Sequence, residues 1–211
     1  MAGTTLTIAQ QKGGSGKTTL AVNLATHYLS QGKSVAVLDT DPQGSLGRWF
    51  MTRLQAKGTP DIEFSTASAW GVSYEVEKLR KNHDLVIVDT PPKVDADLRP
   101  ALREADIVIV PVSASAVDLW ATEGVLELAD REKKPCLLVL NRARSGTKLT
   151  ETMGAELSAL GSPKAQTTLG NRVVFAEALG IGQGACEAAR TNPATAEIAA
   201  LAAEIDAMLL A

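Results

Sequence analysis

The chain has 211 residues, of which 45% are hydrophobic and 21% charged, and its formal net charge is −3. This length and composition suit one globular domain that buries most of its apolar surface without disulfides. The small negative charge excludes a molecule that binds nucleic acid through its overall charge, although a local basic patch is compatible with it.

The cysteines and the apolar runs argue against a cysteine metal site, a secreted protein and a membrane-spanning protein. Cys136 and Cys186 have no partner at metal-ligand spacing, so we interpret both as reduced structural thiols. The first residues lack the basic and long apolar segments of a signal peptide. No apolar run approaches the roughly 20 residues of a membrane span. We therefore expect a cytoplasmic protein.

Apolar runs alternate with helical patterns, an order typical of βαβ units. It predicts an α/β fold in a single domain, 1–211, whose mostly parallel twisted sheet is flanked by helices on both faces. Strands are predicted at 4–10, 34–39, 62–66, 84–89, 107–112, 135–141 and 164–168. Helices are predicted at 17–31, 44–56, 73–82, 95–104, 116–131, 148–160, 171–179 and 194–210. No element is predicted for the glycine-rich segment 180–193.

A glycine-rich turn joins the first strand to the first helix. It reads Gln11-Lys12-Gly13-Gly14-Ser15-Gly16-Lys17-Thr18-Thr19. Such a turn binds phosphate, because its N–H groups point inward and the helix dipole favours anions. In this phosphate-binding loop (P-loop), Lys17 reaches the terminal phosphates and the Thr18 hydroxyl ligates Mg²⁺. Glycine-rich turns also occur for conformational reasons alone, but here acidic residues end two later strands.

The loop departs from the usual pattern at two positions. The pattern G-x-x-x-x-G-K-[ST] has glycine where this chain has Gln11. It also does not require the second lysine, Lys12.

Acidic residues end two predicted strands. Asp39 and Asp41 follow the apolar run 35–38, and strand alternation places them on the same side. Because carboxyl ends of parallel strands form the ligand crevice, the two can organise Mg²⁺ and orient a water, although a helix cap or turn would explain one of them. Asp89 ends a second run as a Walker-B aspartate that holds Mg²⁺ opposite Thr18. Thr90-Pro91-Pro92 then begins a loop placed to sense the terminal phosphate.

Together these motifs resemble the deviant-Walker ATPases of the ParA/MinD superfamily over essentially the whole chain. The segments 39–44, 113–120 and 172–178 favour the ParA branch, in a short form without an N-terminal helix-turn-helix. The family does not require the first Walker glycine, which accounts for Gln11.

The resemblance implies an Mg²⁺-dependent ATPase that hydrolyses ATP slowly and dimerises around ATP. It implies that Lys12 crosses to the partner's phosphates while Lys17 acts in cis, that Asp41 orients the water, and that Asp39 supports the metal. It also implies a separately encoded adaptor or activator. Asn141 matches the family's adenine-contacting asparagine, although a strand-end cap is the alternative. Pro193 is expected to line the other side of the adenine.

ParA-like proteins usually bind DNA non-specifically as ATP dimers, whereas MinD-like proteins lie on membranes through a basic C-terminal helix. The segment 194–211 has three acidic residues and no lysine or arginine, which disfavours a membrane. We expect a nucleoid-associated protein that binds double-stranded DNA, with Arg172 as the first contact. The other basic candidates are Arg142, Arg144, Lys148, Lys164 and Arg190.

The expected function is to position or partition a cargo, which is a plasmid, a chromosomal locus or a protein assembly. The alternatives are a MinD-like membrane-associated ATPase and a metabolic ligase resembling dethiobiotin synthetase. A ligase needs its own polar substrate constellation, and the sequence has no spare histidine or carboxylate cluster. An iron protein like that of nitrogenase needs cluster cysteines, and Cys136 lies in a presumed buried strand.

Overall fold

A computed structural model of the protein describes residues 2–92, 98–189 and 191–210. At its centre lies a six-stranded sheet in the order β3-β2-β4-β1-β5-β6, in which every neighbouring pair is parallel. The predicted α/β class is confirmed. The strands are β1 (Thr4–Ile8), β2 (Val35–Asp39), β3 (Glu63–Thr66), β4 (Leu85–Asp89), β5 (Ile107–Ser113) and β6 (Cys136–Asn141).

Helices cover both faces of the sheet, as predicted. The strands present apolar side chains on both faces, and both faces must therefore be covered. Leu6 and Ile87 pack in the cluster with α1, α2, α7 and α9, whereas Val86 and Val108 pack in clusters with α3 to α6. The helices are α1 (Lys17–Ser30), α2 (Ser45–Lys57), α3 (Gly71–Arg80), α4 (Leu98–Arg103), α5 (Ala116–Arg131), α6 (Lys148–Ser158), α7 (Val173–Gly180), α8 (Ala185–Ala188) and α9 (Pro193–Leu209). None of these helices has the length and apolar character needed to cross a bilayer.

The seventh predicted strand, 164–168, is wrong. Lys164 forms only an isolated parallel bridge with Leu138 of β6. The backbone N–H groups of Gln166 and Thr167 donate to the Glu204 carboxylate of α9, at 2.7 and 2.8 Å. The Ala165 N–H still donates to the Leu138 carbonyl oxygen of β6 at 2.8 Å, but the Thr167 N–H, which would be the next donor to β6, is taken by a side chain of α9.

Two other differences concern helices. The segment without a predicted element contains the one-turn helix α8. The helix predicted at 95–104 is described only from Leu98, since 93–97 lie outside the described residues.

Three strands end at the same level and so bring their following segments together. Ile8 of β1 is in register with Asp89 of β4, and Asp89 is in register with Asp39 of β2. The glycine-rich turn and both acidic strand ends therefore meet at one edge of the sheet, where open α/β folds bind ligands.

Candidate functional site

The phosphate loop leads directly into α1, whose N-terminus has no side-chain cap. Gly16 occupies the N-cap position with a left-handed φ of 94°. Because the first turn of a helix has N–H groups without intrahelical partners, this end of α1 is suited to an anion. Gly13 and Gly14 have no neighbouring atom within 4 Å of a Cβ placed on them, so the cradle is open there.

Gly16 is also enclosed by the end of β6. A Cβ on Gly16 would lie 2.6 Å from Asn141 Nδ2. That amide donates to the Ser15 carbonyl oxygen at 2.8 Å, and Asn141 Oδ1 accepts from the Arg142 N–H at 2.9 Å. Asn141 thus supports the loop from the side.

Lys17 is nearly buried within the loop, with 7% of its surface exposed. Its Nζ donates to the Gln10 carbonyl oxygen at 3.0 Å. Burial lowers the pKa of Lys17, and the charges of Asp89 and Asp41 oppose that shift. The buried Ser15 hydroxyl has no partner among the described residues, so the loop holds a polar atom available to a ligand.

Thr18 and Asp89, the two residues expected to hold Mg²⁺, form the other polar centre. Thr18 Oγ1 donates to Asp89 Oδ2 at 2.6 Å, while the buried Asp89 Oδ1 has no partner in the described chain. Burial raises the pKa of Asp89 to about 7, and the Asp39 charge adds to the shift while the Thr18 hydrogen bond and Lys17 oppose it.

A hydroxyl and an orphaned carboxylate oxygen fit Mg²⁺, which prefers oxygen ligands. Within the described residues, no group of three or more His, Cys, Asp or Glu side chains could hold a metal ion. That fits an ion bound by few protein groups and completed by water and phosphate.

The two aspartates after β2 differ in their surroundings. Asp39 is buried, and its two oxygens accept from the N–H groups of Asp41 and Gly47, both at 3.0 Å. Burial raises the pKa of Asp39, and these hydrogen bonds oppose that shift. Asp39 thus holds the turn into α2, the structural alternative foreseen for one of the pair. Asp41 lines the cavity beside the loop, and one of its oxygens accepts from the Gln43 N–H at 2.9 Å.

Two cavities adjoin the phosphate loop. The first, of about 320 Å³, is lined by Gly13, Lys17, Thr18 and Asp41, and also by α7. The second, of about 110 Å³, is lined by Asn141 and Phe175 among others. Pro193 is exposed at the start of α9 and lines neither cavity.

Gln10 and Gln11 tie the start of the loop to α5. Gln10 Nε2 donates to Thr122 Oγ1 at 3.0 Å. Gln11 lies against Gly124, where a Cβ would come within 2.1 Å of Gln11 Nε2. The next residue, Lys12, is exposed and forms no ion pair with any described residue.

Sequence reasoning missed Gln10, Gly124, and the cavity residues Phe175 and Leu179. The signal for Gly124 was present, because a glycine inside a predicted helix costs about 1 kcal/mol and calls for a packing reason. The segment 172–178 carries part of the family resemblance, but nothing within it indicates that α7 faces the loop.

The structure separates the basic residues predicted to bind DNA. Arg172 is bound by the Glu197 carboxylate and lines the second cavity. Arg142 lines both cavities. Arg144 and Lys148 are exposed near the start of α6, and Lys164 is half-buried. Arg190 lies outside the described residues.

Comparisons with known proteins agree with this geometry. Residues 6–180 match the CobQ/CobB/MinD/ParA nucleotide binding domain. The chain is 31% identical over 182 residues to the maintenance of carboxysome distribution protein A of Halothiobacillus neapolitanus, covering 83% of each chain. It is 30% identical to the chromosome-partitioning ATPase Soj of Thermus thermophilus, covering 95% of this chain and 94% of Soj.

Solved structures share the fold. The ATP complex of McdA from Cyanothece superposes with a TM-score of 0.78 at 19% identity, covering 95% of this chain and 97% of that one. The cell division ATPase MinD of Pyrococcus furiosus superposes with a TM-score of 0.81 at 18% identity, covering 98% and 99%.

Proposed function

Because the chain belongs to the CobQ/CobB/MinD/ParA nucleotide-binding family, we propose that it is an Mg²⁺-dependent ATPase that dimerises around ATP and positions an intracellular cargo. The observation that carries the proposal is the pair of Thr18 and Asp89 at the base of the uncapped α1, with an Asp89 oxygen that has no partner among the described residues. When bound, ATP would supply the γ-phosphoryl group whose transfer to water, with ADP as the leaving group, drives the cycle, and Mg²⁺ would offset the charge of the phosphates.

Residues of one chain divide the work of binding. The N–H groups of 13–19 and the Lys17 amine hold the phosphates, while the Thr18 hydroxyl and Asp89 hold the metal. Asp41, exposed to the first cavity, orients the water, and Asp39 fixes the turn that carries Asp41. Asn141 at the second cavity contacts the base.

Lys12 acts across the dimer in this proposal. It is exposed, has no carboxylate partner among the described residues, and follows a segment fixed to α5. A cation on a fixed base can enter a partner's phosphate site, where it offsets charge on the transferring group as an arginine finger does.

The relatives indicate the class of cargo process. One is named for carboxysome distribution and another for chromosome partitioning. We therefore propose that the ATP dimer of this chain binds double-stranded DNA of the nucleoid as its matrix. A separately encoded adaptor joins it to the cargo and stimulates hydrolysis.

The role of Lys12 is tested by phosphate release from wild type and Lys12→Ala, with Lys33→Ala as the control. Lys33 is an exposed lysine in the turn between α1 and β2, away from the phosphate loop. We expect turnover to be abolished in Lys12→Ala and unchanged in Lys33→Ala. Normal turnover in Lys12→Ala would remove the cross-subunit lysine from the mechanism.

The same assay separates hydrolysis from dimerisation. We expect Asp41→Ala to bind ATP and remain a dimer during sedimentation, because binding groups are kept and the water-orienting carboxylate is lost. Asp130→Ala, at an exposed position near the end of α5, should cycle as wild type does. A wild-type protein that stays monomeric with a non-hydrolysable ATP analogue would contradict the proposed dimer.

A further inference from the structure

We infer that Arg142 is a nucleotide-binding residue whose guanidinium contacts the α-phosphate, and that it does not belong to the DNA-binding set. This inference rests on the proposed binding of ATP. It assigns to the nucleotide site a side chain that the sequence alone placed on a DNA surface.

Arg142 lies where the two cavities meet. Among the residues lining them, only Gly16, Thr19 and Arg142 are common to both cavities in the described chain. A nucleotide with its β- and γ-phosphates at Lys17 and its base at Asn141 must pass these shared residues. The part of the molecule that lies between base and terminal phosphates is the ribose and the α-phosphate.

The backbone of Arg142 has an unusual conformation, which hydrogen bonds of its own N–H and of the next N–H hold in place. Its φ is 52°, a left-handed value that residues other than glycine rarely adopt. Its N–H donates to Asn141 Oδ1 at 2.9 Å, and the N–H of the next residue, Ala143, donates to the Leu169 carbonyl oxygen at 3.0 Å. Strained residues persist where the surroundings fix them, and they concentrate at ligand sites.

The guanidinium faces the phosphate loop with its charge available. Arg142 Nε lies 3.8 Å from a Cβ placed on Gly16. Arg142 forms no ion pair with any described residue, in contrast to Arg172 of the same cavity, which is bound by Glu197. An arginine with free donors beside a phosphate-binding loop is well suited to contact a phosphate oxygen.

The test compares the affinity for Mg-ADP, measured by calorimetry, of wild type, Arg142→Ala and Arg144→Ala. ADP contains the α-phosphate and needs no dimer. Arg144 is the matched control, an exposed arginine two residues away that lines neither cavity. We expect Kd for Mg-ADP to rise about tenfold in Arg142→Ala, the size of one charge-assisted contact, and to stay unchanged in Arg144→Ala.

Two further variants separate charge from folding. Arg142→Gly removes the side chain and suits the left-handed backbone, so it should weaken ADP binding as Arg142→Ala does without lowering the melting temperature of the free protein. Arg142→Lys should retain part of the affinity, because the charge remains.

Duplex DNA binding is the second measurement, and the inference predicts that it does not change. At saturating non-hydrolysable ATP analogue, Arg142→Ala should bind duplex DNA as wild type does. The inference is overturned if Arg142→Ala binds Mg-ADP normally, or if it loses ADP affinity no more than Arg144→Ala. A wild-type protein without measurable affinity for Mg-ADP would instead overturn the proposed nucleotide site itself, and the role of Arg142 with it.

Discussion

Asp39 and Asp41 are separated by a single residue, and the fold uses them differently. The sequence predicted two carboxylates on one side of the strand. In the structure β2 ends at Asp39, so alternation no longer governs Asp41. Asp39 is committed to two backbone N–H groups, and Asp41 lines the cavity. The sequence could predict that acidic residues end this strand. Which of them binds the backbone and which faces the cavity depends on where the strand stops.

Gly16 is the glycine of the loop that we expect to tolerate substitution least. Its left-handed φ disfavours any side chain, and a Cβ would press on Asn141 Nδ2, which is held by the Ser15 carbonyl. We expect Gly16→Ala to lower the free energy of unfolding by more than about 1 kcal/mol, measured by urea denaturation without nucleotide. It should also abolish ADP binding.

Gly13→Ala is the matched control for Gly16. A Cβ there meets no atom within 4 Å, and its φ is not left-handed. The free energy of unfolding should therefore be no lower than that of wild type. Equal destabilisation of the two variants would contradict the role assigned to the contact with Asn141.

At the scale of elements, strands with strong local patterns were predicted correctly and elements set by distant contacts were not. The runs that became β2 and β4 are buried over their whole length and end at their acidic residues as expected. The segment 164–168 pairs with β6 only at its start, through the Ala165 N–H, because Glu204, 37 or more residues away, accepts the N–H groups of Gln166 and Thr167. No local pattern contains that information.

Helices α2 and α8 are joined by a buried arginine that the sequence did not single out. Arg53 is 1% exposed and donates to both oxygens of Asp61 and of Glu187, at 2.7 to 2.8 Å. Its Nη1 also donates to the Gly182 carbonyl oxygen at 3.0 Å. Burial would raise the pKa of Asp61 and Glu187, but the hydrogen bonds from Arg53 hold both below their ordinary values.

We expect Arg53→Met to lower the free energy of unfolding by about 3–5 kcal/mol at neutral pH, because two carboxylates lose their buried partner. Lys57→Met is the control, since Lys57 pairs with the same carboxylates but is 37% exposed and should cost at most about 1 kcal/mol. Urea denaturation measures both.

The pH dependence of this pair of variants follows from the lowered pKa values. Stabilisation from a carboxylate with a lowered folded pKa is present above its unfolded value and lost as the pH falls through the folded value. The difference between wild type and Arg53→Met should therefore be largest near pH 7 and shrink below about pH 4. A difference that is constant from pH 7 to pH 3.5 would show that the ion pairs contribute little.

At the scale of the whole molecule, the proposed DNA binding would depend on a surface that two chains build. The basic residues that remain exposed and clear of both cavities include Arg144 and Lys148. We expect Arg144→Ala/Lys148→Ala to weaken duplex DNA binding with a non-hydrolysable ATP analogue, and to reduce the slope of log K against log salt by about 0.9 per lost phosphate contact.

The control for DNA binding is the same pair of measurements with ADP. Wild type should bind duplex DNA weakly in ADP, because the surface then lacks its second copy. Binding that is equal in ADP and in the ATP analogue, or independent of salt, would contradict a nucleotide-dependent DNA surface.

That residues 1–211 form one domain stays a proposal, supported by the packing of α1 with α7, α8 and α9 in one cluster.

The contact between Gln11 and Gly124 has a consequence for how such loops diversify. The ordinary phosphate loop has its small residue at position 11, whereas here the space is provided by a glycine on the helix opposite. The two positions, 113 residues apart, are thus sterically coupled, because the large side chain of Gln11 requires a glycine at position 124. A protein with glycine at position 11 would leave room for a side chain at position 124 of α5, and the segment before Lys12, the proposed cross-subunit lysine, would then be tied to α5 through Gln10.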